Sequence, residues 1–265
     1  LRAAARSVDY AGQSLGLTVD LDVQSEVERI NSNNIIGKIA GRKPGSGAVI
    51  FMGHWDHFGI CRPEGEEDRI CNGAVDNASG LAVLTEVAKR LGKAKLDRDI
   101  YFVGTTAEES GLLGARAFAA DPAVPLDQIK IVLNVDTVAI ARRGAKVAII
   151  GRGKTGLDAE VEAVARKLKR KIEPSTDANA FLQRQDGWAL TEKNVPALMV
   201  GGAFADLGKM EAFLKTDYHG PRDEVVETLQ LGGAAEDADL HVELGRYFAD
   251  ARKFKPKKAE KGTGE

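Results

Sequence analysis

The run Ala48–Val49–Ile50–Phe51–Met52–Gly53–His54–Trp55–Asp56–His57 constrains this chain more than any other stretch. Five apolar residues without a polar break do not fit a half-exposed strand, whose side chains would alternate, and predict a strand buried on both faces of a sheet. Gly53 and then His-X-Asp mark where that strand leaves the interior. In an open parallel sheet that edge, beyond the carboxyl ends of the strands, is where side chains meet a ligand. After a polar loop comes Gly73–Ala74–Val75–Asp76–Asn77–Ala78–Ser79–Gly80, a second glycine-bounded segment with a carboxylate at its centre.

The pattern of strand followed by carboxylate repeats. Residues 99–105 predict a buried strand that stops before Ala107–Glu108–Glu109–Ser110–Gly111, and residues 129–135 predict another that stops before Asp136. Residues 146–150 and 196–201 predict two more strands, and beyond the second a loop reaches Asp217–Tyr218–His219–Gly220–Pro221–Arg222–Asp223. Helical spacing places Leu81, Leu84, Val87, Ala88 and Leu91 on one face of a helix over 78–91, stopped by Gly92. Further helices are expected over 112–120, 157–168 and 232–252. The basic run Lys167 to Lys171 is expected to be a solvated helix end.

Near the start, residues 1–16 carry an Ala-rich helical pattern and residues 17–23 alternate as a half-buried strand does. With 25–40 and the 48–53 strand they predict an antiparallel hairpin opening the sheet. Strands alternating with helices argue for a three-layer α/β/α sandwich on a mixed, mostly parallel central sheet. From Lys253 onward the tail is Lys-rich and is expected to be disordered.

At 265 residues the chain can bury one large core, and its 43% apolar and 29% charged residues are ordinary globular values. A net charge of −2 provides no basic field for nucleic acid, and no apolar run approaches the roughly 20 residues of a membrane span. A peptide or small-molecule partner is favoured. Cys61 and Cys71 fit either a local disulfide in an oxidising compartment or two free thiols. Leu1 follows no Met and no charged-then-apolar leader, as expected of a processed or trimmed chain.

Taken singly, His54 reads as a buried histidine, Asp76 as a helix cap, Glu108–Glu109 as a solvated first turn and Asp136 as a turn opener. Taken together with His219, at strand ends that share one edge, they form the nitrogen and oxygen set that zinc takes in hydrolytic sites.

In this order the five motifs, Gly53 to His57, Gly73 to Gly80, Ala107 to Gly111, Asn134–Val135–Asp136 and Tyr218 to Asp223, resemble the co-catalytic di-zinc aminopeptidase family, whose relatives include bacterial secreted leucine aminopeptidases and glutamate carboxypeptidases. The resemblance covers about residues 34 to 250. It implies two zinc ions, with Asp76 bridging, His54 and Asp136 completing one and Glu109 and His219 the other. It also implies Glu108 as general base to a metal-bridging hydroxide, Tyr218 as donor to the oxyanion, and a cis peptide at Asp76–Asn77. Asp56 would accept the imidazole N–H of His54 or brace the site from behind, and Asp223 would do the same for His219.

Relatives commonly show Arg-Ser-Asp-His where this chain has Arg184–Gln185–Asp186–Gly187–Trp188. Arg184 and Asp186 are then the candidate substrate contacts, the family's His is missing at Gly187, and Phe181, Trp188 and Phe204 either line a pocket or pack as core. The activity implied is removal of amino-terminal residues from peptides. The alternatives are a carboxypeptidase or dipeptidase on the same metals, or a non-catalytic binding relative. Relatives with the His54–Trp55–Asp56–His57 form often carry a protease-associated domain and an export signal. That makes 1–24 the return segment from such a domain, 25–252 the catalytic domain, and the protein periplasmic or secreted.

Overall fold

The computed structural model describes residues 14, 16–27 and 29–256. The chain divides between Asn31 and Ser32, and the sheet and site lie in the unit from Ser32 onward. The helical pattern over 1–16 falls outside the described residues, except for 14 and 16. Residues 17–23 form neither strand nor helix. Alternation alone gives a strand no hydrogen-bonding neighbour, and an unpaired strand is not stable.

The main sheet contains β1 (Ile35–Ile39), β2 (Ala48–His54), β5 (Asp99–Thr105), β6 (Ile129–Asn134), β7 (Ala148–Ile150) and β8 (Ala197–Gly201). A small separate hairpin is made by β3 (Gly59–Ile60) and β4 (Ile70–Cys71). The order in the main sheet is β1-β5-β2-β6-β8-β7. β5, β2, β6 and β8 run parallel, and β1 and β7 are antiparallel edges. The expected opening hairpin is therefore wrong: β1 pairs with β5, and β2 lies one strand further in. Every residue of β2 is buried whereas β1 is largely exposed, so the apolar run takes a central place and leaves the edge to β1.

Both faces of the sheet are covered. Val49 and Phe51 of β2 point into a core shared with α1 (Gly80–Leu91), α3 (Asp158–Lys167) and α6 (Leu231–Ala249). Ile50 and Met52, alternating with them, point into a second core shared with α2 (Leu113–Ala120) and α4 (Gly187–Thr191). This is the expected three-layer sandwich. Residues 207–216, expected as loop, form helix α5 (Leu207–Thr216). The signal was present: the Asp206 carboxylate accepts the Lys209 N–H at the helix start, and Met210 and Phe213 are buried three residues apart.

Two terminal expectations also change. Phe254 is only 4% exposed, packs edge-to-face on Phe248, and has its carbonyl held by the Arg98 guanidinium, so the chain is anchored past Lys253. Arg170 turns inward instead of into solvent: its guanidinium donates to the Ala145 carbonyl and to the fully buried Asp237. His241, one helical turn after Asp237 on α6, is buried beside that pair, and its Nδ1 donates to the Asp237 carbonyl.

Burial first, and the nearby Arg170 charge, lower the His241 pKa to about 4, while burial raises that of Asp237 to about 6. His241 thus adds stability above its ordinary pKa of about 6.5 that is lost as pH falls toward 4, about 2 kcal/mol between pH 7 and pH 5. Asp237 acts in the opposite sense, stabilising at low pH and losing that contribution as pH rises through 6. In urea unfolding at both pH values, His241→Leu is expected to lose about 2 kcal/mol less stability on acidification than the wild type. An equal loss in both would show that His241 does not titrate on unfolding.

Candidate metal centre

Strand ends and one loop build the site. β2 ends on His54, and Gly53 before it lets the chain pass Val135, since a Cβ there would lie 2.7 Å from the Val135 carbonyl oxygen. Glu108 and Glu109 follow β5, and Asp136 follows β6. The backbone takes left-handed values for non-glycine residues at each corner: φ is 52° at Ala107, 52° at Thr137 and 55° at His219. Strain of this kind persists only where surrounding contacts over-determine the geometry, and it gathers at functional sites. The Asp76–Asn77 peptide is cis, as the resemblance implied.

The five expected ligands converge. His54 Nε2 lies 3.1 Å from Asp76 Oδ1 and 3.7 Å from Asp136 Oδ1. His219 Nε2 lies 3.4 Å from Asp76 Oδ2 and 2.9 Å from Glu109 Oε2. Asp76 therefore offers one oxygen to each histidine and stands between two half-sites. Donor atoms of His54, Asp76 and Glu109 fall within 4.8 Å of one another.

The electrostatics call for cations. Burial opposes charge at His54 and His219, yet the facing carboxylates win: His54 is pushed far up, and His219 up to about 9. Burial would raise Asp76 and Glu109 too, but the His contacts hold both below their ordinary values. At Glu108 burial, followed by the Asp136 charge, outweighs the His54 charge and pushes it up to about 9. A crowd of buried carboxylates that draws positive charge onto its histidines is chemically suited to divalent zinc, whose ligands are these N and O atoms. His219 Nε2, Glu109 Oε1 and His57 Nδ1 are all buried without well-formed hydrogen bonds.

Asp56 and Asp223 brace the site from behind through backbone N–H groups and not through the histidines, and Asp186 departs from its expected substrate contact. Asp56 does not take the His54 proton on its carboxylate: its backbone carbonyl is the partner of His54 Nδ1, at 3.1 Å. The Asp56 carboxylate instead accepts the Glu108 N–H (3.1 Å) and the Glu109 N–H (3.4 Å), fixing the turn that carries base and ligand. Asp223 does not reach His219. Its carboxylate accepts the N–H groups of Val75 and Asp76, at 2.7 and 3.0 Å, and so holds the bridging residue. Asp186 contacts no substrate space: it is fully buried behind β5, hydrogen-bonded by Thr105, and raised by burial to about 7.

A small open cleft adjoins Asp76, Glu108, Asp136 and Tyr218 and is walled by Phe181, Arg184, Met199, Phe204, Met210 and Leu214. Arg184 lies over the Phe181 ring at 5.4 Å, and Phe181 packs edge-to-face on Phe204. Trp188 packs against the α2 and α4 core instead. Gly187, where relatives place His, is buried, and a Cβ there would lie 2.7 Å from Gln185 Oε1. Tyr218 stacks on His219 at 3.6 Å, and burial raises its hydroxyl pKa, keeping it a donor.

Sequence reasoning missed two residues. Asn77 donates to the Val135 carbonyl and accepts the N–H groups of Gly80 and Thr137, tying the Asp76 segment to the end of β6. His57 faces Glu109. Cys61 and Cys71 are disulfide-bonded, and Cys71 lies against the His219 carbonyl, so the β3–β4 hairpin backs the loop bearing that ligand.

A family model, Peptidase family M28, matches residues 34–242. A probable zinc metalloprotease of Pyrenophora teres f. teres is 26% identical over 92% of this chain and 53% of its own length. Leucine aminopeptidase 2 of Arthroderma otae is 29% identical over 89% of this chain and 46% of its own. Among solved structures, a zinc aminopeptidase from Bacillus subtilis superposes with a TM-score of 0.62 at 20% identity, covering 84% of this chain and 51% of that one. The chain spans about half the length of these relatives.

Proposed function

Because the chain belongs to peptidase family M28, we propose that it is a zinc-dependent peptidase that removes amino-terminal residues from peptides. The observation that carries this reading is Asp76, whose two oxygens face His54 and His219 in two half-sites that Asp136 and Glu109 complete. Asp76, His54 and Asp136 would hold one zinc, and Asp76, Glu109 and His219 the other. When bound, zinc supplies positive charge that polarises a peptide carbonyl, acidifies water and brings the Glu108 carboxyl down from its raised value.

The protein's own groups do the rest. Glu108, at the cavity wall and held by Asp56 through its backbone, takes a proton from the attacking water and delivers it to the leaving amine. Tyr218 lines the same cavity, where its hydroxyl would donate to the carbonyl oxygen as negative charge grows there. The apolar wall of Phe181, Phe204, Met199 and Met210 receives the side chain of the residue removed. The cluster of carboxylates suits a free amino terminus, whereas a terminal carboxylate calls for several arginines, and among the described residues Arg184 is the one arginine lining this cavity. The Cys61–Cys71 disulfide supports an exported protein.

Stripping metal with a chelator is expected to abolish hydrolysis of aminoacyl reporters, and zinc to restore it with two ions bound per chain. Fewer than two zinc ions per chain after loading would sink the two-metal reading. Faster cleavage of carboxyl-terminal reporters than aminoacyl ones would instead establish the carboxypeptidase direction.

A further inference from the structure

We propose that His57 is a positioning residue for Glu109, and that it sets zinc affinity in the half-site shared by Glu109 and His219; this rests on the two-zinc reading above. His57 Nδ1 lies 2.7 Å from Glu109 Oε1, while the other oxygen, Oε2, lies 2.9 Å from His219 Nε2. The carboxylate is thus divided, one oxygen toward His57 and one toward the ligand histidine. Neither Nδ1 nor Oε1 has a well-formed hydrogen bond elsewhere among the described residues, so the ring nitrogen is the close polar neighbour of that oxygen.

The contact is buried and the ring is fixed. Both side chains are only 8% exposed. Phe58 packs edge-to-face on the ring at 5.2 Å, with the His219 ring at 5.9 Å. On another side Gly73, at φ 68°, brings its backbone so close that a Cβ there would lie 2.6 Å from His57 Cγ. Gly73 opens the segment that carries Asp76, so His57 is wedged between the backbone leading to one ligand and the carboxylate of another.

A carboxylate with one oxygen seated against a fixed imidazole nitrogen cannot rotate freely, and it presents the other oxygen in a fixed direction. Removing the ring nitrogen takes away that oxygen's close polar neighbour and leaves the ligand free to turn. Outer partners of this type change metal affinity by about 10–100-fold.

Two variants of the full chain separate positioning from packing. His57→Leu keeps the bulk and removes the ring nitrogen, and His57→Asn places an amide nitrogen near the position of Nδ1. Zinc-free protein is titrated with zinc against a competing chromophoric chelator, and its thermal midpoint is measured in parallel. In His57→Leu one zinc is expected to bind as in the wild type and the other about 10–100-fold more weakly, with His57→Asn recovering most of the loss. Wild-type affinity for both ions in His57→Leu would overturn the inference. So would equal weakening in His57→Asn and His57→Leu with equally lowered zinc-free midpoints, which marks a packing role. A wild-type chain that binds fewer than two zinc ions would overturn the two-zinc reading and this inference with it, an outcome visible before either variant is compared.

Discussion

Glu108→Gln is expected to keep both zinc ions and lower turnover by at least about a hundredfold, the lower end of what general-base catalysis contributes. Gln has nearly the same shape and leaves the backbone N–H bonded to Asp56 undisturbed. What it lacks is a group able to accept the water's proton. Glu108 contacts neither histidine, and its raised pKa reflects burial and the Asp136 charge, so its loss leaves the metal ligands in place. Zinc analysis beside steady-state kinetics tests this. A metal-deficient Glu108→Gln would mean that Glu108 and Glu109 had been assigned each other's roles.

Asp76→Asn is expected to empty both half-sites, with zinc affinity down by more than about a hundredfold, beyond the upper range for partners that only touch a ligand. Asp76 is the residue whose two oxygens approach both histidines, and an amide offers one neutral oxygen in place of the two. Its backbone N–H stays held by Asp223, so the isosteric change fits the fold. Glu109→Gln, by contrast, should weaken only the His219 half-site. Counting zinc after gel filtration distinguishes them. Retention of one tightly bound zinc in Asp76→Asn would show that Asp76 is not shared.

The positions of His54, Asp76, Glu109 and Asp136 were legible because each ends or follows an apolar strand or lies within a short glycine-bounded segment, signals local in the chain, whereas His219, in the loop after α5, was legible only through its motif. The central β2, the ends of β5 and β6, and the helices flanking them follow from the same local periodicity. The apolar spacing of α5 was equally local and was missed as a signal.

Other assignments depended on the folded sheet. That β1 lies beside β5 instead of β2 is decided by competition for the buried centre, which pits one strand's burial against another's. The carboxylates of Asp56, Asp223 and Asp186 look alike in sequence, yet one holds the Glu108–Glu109 turn, one holds Asp76 and one is enclosed behind β5. His57 meets Glu109 across 52 residues of chain. The sequence by itself determined which side chains arrive at the sheet edge, because chain direction and burial period are written residue by residue. Only the tertiary structure decided which of them share a proton, because a hydrogen bond is set by distances of a few tenths of an ångström between strand ends that the chain order does not relate.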